Sequence, residues 1–109
     1  MRQADREKAG RFKARLQEML GARLLEVTAF GSRARGVHGP ESDLDLLVVV
    51  DVADRETKRD IAYLSGDFDI DDPEPYCIST LVMDPPRIEE LRKRERRLIH
   101  DIDRDGIRV

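Results

Sequence analysis

The chain has 109 residues, 39% of them hydrophobic and 39% charged, with 20 Lys and Arg set against 23 Asp and Glu for a net charge of −3. That is one domain with a thin core under a heavily charged surface, and the acidic balance with 5% aromatic residues argues against direct binding of nucleic acid. The lone Cys77 excludes an internal disulfide and fits a reducing cytoplasm, no apolar run approaches membrane-spanning length, and the opening MRQADREKAG lacks the apolar core of a secretory signal.

Residues 4–20 carry Ala9, Phe12, Leu16, Met19 and Leu20 at helical spacing, which predicts an amphipathic helix with these side chains in the core and Gly21 as its stop. Leu24, Leu25, Val27, Ala29 and Phe30 predict a strand ending at Gly31. LDLLVVV, residues 44–50, predicts a second strand. Its last five residues are apolar on both faces, so it should be central and covered on both sides. The connector, residues 31–42, has room for one helical turn (Ser32 to Arg35) and a Gly/Pro loop, too little for a parallel crossover, so the two strands should be antiparallel.

That pairing brings Gly31 and Ser32 to the same sheet edge as Asp43 and Asp45. The two aspartates are two residues apart, on one face, roughly 6.5 Å apart along the strand. Two carboxylates so placed suit Mg²⁺, which is held by one or two carboxylates plus substrate phosphates. Gly31 permits close approach of a ligand to the backbone, Ser32 opens a helix whose free N–H groups favour phosphate oxygens, and Arg33 and Arg35 add positive charge.

Farther along, Asp54 caps a predicted helix from Arg55 that Ser65-Gly66 ends. GDFDIDDPEP alternates apolar and acidic residues and reads as a short exposed strand or a loop. YCISTLVM, residues 76–83, predicts a third strand. Asp84 with Pro85 opens a helix, and Ile88, Leu91, Leu98, Ile99 and Ile102 suggest one or two helical pieces up to Arg104. Gly106 ends them, and Ile107-Arg108-Val109 trail as a tail. Arg92, Lys93, Arg94, Arg96 and Arg97 form the basic run, with Glu89, Glu90 and Glu95 interspersed, which reads as a solvated helix face. His38 in the key loop reads as a polar loop residue.

Gly31-Ser32, ten residues, then Asp43-x-Asp45, within the wording GSRARG…SDLDLLVVV, resembles the signature of the minimal nucleotidyltransferases of the DNA polymerase β-like superfamily. The resemblance implies an α/β (α+β) domain over residues 1–109, with a small mixed, largely antiparallel sheet flanked by helices. It implies Mg²⁺ on Asp43 and Asp45, and transfer of a nucleoside monophosphate, AMP from ATP above other NTPs, to a hydroxyl with release of pyrophosphate. Many such chains look like antitoxins encoded beside a helical HEPN-type toxin, and some modify a tyrosine of that toxin. The sequence departs from the pattern at one place. The third carboxylate expected on the neighbouring strand falls on Ser79, which neither ligates like a carboxylate nor acts as a base. Asp67 or Asp69 would replace it if that segment folds back to the site. Otherwise the chain is a nucleotidyltransferase fold that neutralises or assembles with a helical partner by contact alone.

Overall fold

The computed structural model describes residues 1–94 and 96–109; Glu95 of the basic run lies outside the described residues. Helix α1 spans Gln3–Leu20 and stops at Gly21, whose φ of +55° suits glycine. A 3-10 turn (Gly21–Arg23) leads into β1 (Leu24–Phe30), then the short α2 (Gly31–Arg35), β2 (Leu44–Val50), α3 (Arg55–Asp71), β3 (Ile78–Met83), α4 (Pro85–Lys93), α5 (Arg97–Asp105) and β4 (Ile107–Arg108).

The strands lie in the order β3-β2-β1-β4. β1 is antiparallel to β2 and to β4, while β2 and β3 run parallel, so the sheet is mixed. β2 is central, and its alternating side chains divide the core. Leu44, Leu46, Val48 and Val50 face α1 and α3 with Ala9, Phe12, Leu16, Ile61 and Phe68. Leu47 and Val49 face α4 and α5 with Ile88, Leu91, Ile99 and Ile102. A strand apolar on both sides is what a layer of helices on each face requires.

Both expected caps form: Asp54 accepts from the Thr57 N–H at 2.8 Å and Asp84 from the Arg87 N–H at 3.2 Å. Four expectations need correction. Ser65-Gly66 does not end α3, and the DFDID segment is neither strand nor loop but the C-terminal end of that helix. Tertiary contacts outweigh the ~1 kcal/mol helix cost of the glycine. The Ser65 hydroxyl donates to the Ile78 carbonyl, Phe68 packs edge-on against Phe12 with ring centroids 5.3 Å apart, and Asp69 accepts from the Ile78 N–H at 3.0 Å. The C-terminal tail is instead an edge strand, with Thr28 and Ala29 paired to Arg108 and Ile107. The third strand begins at Ile78 rather than Tyr76, because Tyr76 is drawn into a buried polar cluster. Met19, expected in the core, is 40% exposed.

The basic run behaves as a solvated face. Arg92 forms a two-pronged pair with Asp103, Arg94 meets Glu90 and Arg97 meets Asp101, all with substantial solvent exposure.

Candidate active site

The antiparallel register sets Phe30, the last residue of β1, opposite Asp45 of β2. Gly31 therefore turns into α2 directly beside the aspartates. Its φ is +75°, and a Cβ built there would collide with the Asp45 carboxylate, with Cγ at 3.3 Å. Glycine is required here twice over, for the left-handed backbone and for the room it leaves against that carboxylate. Asp45 shares the sheet face of Leu47 and Val49, and Asp43, just before β2 begins, is near enough for its charge to act on Asp45. A cleft of about 470 Å³ opens beside Asp43, lined by Pro40, Glu41, Pro75, Tyr76 and Cys77.

Burial first, and then the charge of Asp43, pushes the Asp45 carboxyl above its ordinary value; Arg35 opposes this and only in part. Two like charges held together with so little compensation fit a divalent cation completed by substrate phosphate oxygens. Asp43 and Asp45 are the residues that would hold it. Among the described residues no group of three or more His, Cys, Asp or Glu side chains gathers around a possible ion.

The structure distributes the four remaining sequence candidates unevenly. Ser32 stands beside Gly31 at the start of α2, half-buried, and Arg35 is exposed within electrostatic reach of Asp45. Arg33 is different. Expected at the phosphates, it points inward and is 3% exposed. Its guanidinium donates to Asp5 at 2.9 Å, to the Ser42 carbonyl at 2.6 Å and to the Pro40 carbonyl at 3.1 Å, and it stacks on the Tyr76 ring. With its donors so engaged, Arg33 fixes the loop that delivers Asp43 instead of meeting a ligand. Tyr76 donates its hydroxyl to the same Asp5. His38 is also drawn in, its Nε2 3.9 Å from Asp5 Oδ2, where a polar loop position was expected.

Asp67 and Asp69 do not complete the site. Both belong to α3, on the opposite face of the sheet. Asp69 caps Ile78 and sits 3.3 Å from Lys8, and Asp67 is exposed to solvent. The position beside Asp45 on the neighbouring strand is Ser79, its register partner in the parallel β2–β3 ladder, and it is exposed.

A glycine turn and two carboxylates at one edge of a mixed α+β sheet define a polymerase β-like nucleotidyltransferase fold. The chain belongs to the nucleotidyltransferase domain family, whose profile matches residues 10–103. No curated relative matches it. Among solved structures, one described as a toxin-antitoxin with AMP-PNP aligns with 90% of this chain and 69% of its own, at 19% identity and a TM-score of 0.56; at that identity it shows the shared fold. A Sulfolobus solfataricus protein assigned as a nucleotidyltransferase aligns with 99% of this chain and 87% of its own, at 23% identity and a TM-score of 0.48.

Proposed function

We propose that this chain is a Mg²⁺-dependent nucleotidyltransferase that moves AMP from ATP onto a hydroxyl of a partner protein, as the antitoxin of a pair with a helical, HEPN-type toxin. The observation that carries the chemistry is the packing of Gly31 against Asp45 at the edge where Asp43 also emerges. The partner reading draws support from the toxin-antitoxin neighbour that holds AMP-PNP.

The backbone at Gly31 and the Ser32 hydroxyl receive the terminal phosphates, with Arg35 offsetting their charge. Asp43 and Asp45 would hold the cation, which when bound would neutralise charge on the phosphates. Arg33 acts at a distance. By gripping the carbonyls of Pro40 and Ser42 it keeps Asp43 where the chemistry needs it.

Ser79 favours a second reading. With a hydroxyl where a third carboxylate would activate the acceptor, the fold in this reading serves by contact alone, masking its partner. One pair of measurements separates the two. ATP labelled at the α-phosphate, with Mg²⁺, should transfer label to the co-expressed helical partner with the wild type and not with Asp43→Asn. If Asp43→Asn neutralises that partner as well as the wild type does, with no label on either, the contact reading stands and the enzyme reading falls.

A further inference from the structure

The register that sets Ser79 beside Asp45 does more than leave a carboxylate out. Parallel partners on adjacent strands lie ~4.8 Å apart and point their side chains to the same face. Ser79, Leu81 and Met83 follow that rule, the latter two packing with Leu47 and Val49 on the α4/α5 side. The Ser79 hydroxyl thus stands on the Asp45 face and is open to solvent. The strand order β3-β2-β1 adds a direction. Across the site run, in sequence, Ser79 on β3, Asp43 and Asp45 at β2, and Gly31 at the end of β1. An in-line displacement needs this same order: attacking oxygen, phosphorus held at the carboxylates, leaving group beyond.

We propose that Ser79 is itself an acceptor, so that the chain transfers a nucleoside monophosphate onto its own β3. The proposal rests on the nucleotidyltransferase reading above. Ser79 Oγ forms a bond to the α-phosphorus of the bound NTP. The bond from that phosphorus to the oxygen bridging to the β-phosphorus breaks, and pyrophosphate leaves with the electron pair. The serine proton passes to water at the open strand edge. The product is a phosphodiester between Ser79 and the nucleoside. It leaves the nucleotide covalently held beside Asp43 and Asp45.

Cys77 is the competing nucleophile. It lies two residues earlier, lines the cleft beside Asp43 and is exposed. Ser79 is favoured because its ladder partner is Asp45, the carboxylate that Gly31 abuts.

The test uses the purified chain with Mg²⁺ and ATP. Intact mass should rise by one AMP residue, and peptide mapping should place it on Ser79. Ser79→Ala should lose the label and Ser79→Thr should keep it, while both bind Mg²⁺–ATP by calorimetry as the wild type does. The labelled fraction per unit time should not change with protein concentration, as expected for transfer within one chain. Label on Cys77 or elsewhere, or a rate that rises with protein concentration, overturns the proposal. Mg²⁺–ATP binding without self-labelling overturns the proposal alone. No Mg²⁺–ATP binding by the folded wild type overturns both the proposal and the reading beneath it.

Discussion

Asp5 and Asp45 are both carboxylates drawn into a small protein, and they are treated in opposite ways. Burial would push each up. At Asp5 the Tyr76 hydroxyl and the Arg33 guanidinium outweigh it, and the carboxyl is held below its ordinary range. At Asp45 burial is joined by the charge of Asp43, and the exposed Arg35 does not make up the difference. The α1/α3 side of the sheet is finished structure. There Lys8, fully buried, donates to the carbonyls of Glu74 and Tyr76 and lies 3.3 Å and 3.5 Å from Asp69 and Asp72. The α4/α5 side, near the edge, leaves charge uncompensated. The charges of Asp5 and Lys8 are compensated by close partners, whereas that of the functional candidate Asp45 is compensated only in part.

The sharpest way to break this contrast is Asp5→Ala. It strands Arg33 and Tyr76 in the interior and frees the loop before Asp43, and should cost about 3–5 kcal/mol in urea unfolding. A loss near zero would mean that the cluster does not hold the frame. Gly31→Ala comes next. A side chain at φ +75° that also meets the Asp45 carboxylate should cost about 1–3 kcal/mol and weaken Mg²⁺–ATP binding measured by calorimetry. Asp45→Asn has the smallest effect on folding and the opposite sign. It relieves repulsion, so stability should hold or rise within about 0.5 kcal/mol, while Mg²⁺–ATP binding is lost.

Acid sharpens the same comparison. Asp45 is raised, so the wild type gains relative stability as pH falls through its folded pKa, and the advantage of Asp45→Asn should fade at a pH above 3.8. Asp5 is depressed, so its contribution persists above its unfolded value and is lost only as pH falls below 3.8. Unfolding curves of the two variants against the wild type across that range read both directions in one series.

Several of these features could be read before any coordinates. The unbroken apolar run of β2, the capping residues Asp54 and Asp84 and the short 31–42 connector are local signals, and each gave its element. The meeting of Gly31 with the aspartates followed from the antiparallel pairing that the connector length forces. What escaped was long-range. Nothing near Arg33 shows that its partner is Asp5, 28 residues upstream, or that Tyr76 and His38 converge there. Lys8 and Asp5 sit among solvated charges in the sequence, and only the fold reveals their burial. The last turns of α3 were hidden because Ser65-Gly66 and the alternating acids are breaker and strand signals, overridden by contacts with Phe12 and Ile78.

The Arg92–Asp103 pair between α4 and α5 has a consequence for ionic strength. Both side chains are about half exposed, so dissolved salt screens them, whereas the ions around Lys8 and Asp5 are sealed from it. Brine should therefore loosen the Arg92–Asp103 link between the two C-terminal helices, as it should the part-exposed Arg11–Asp72 pair on the other side, while Ile88, Leu91, Ile99 and Ile102 keep the C-terminal pair seated.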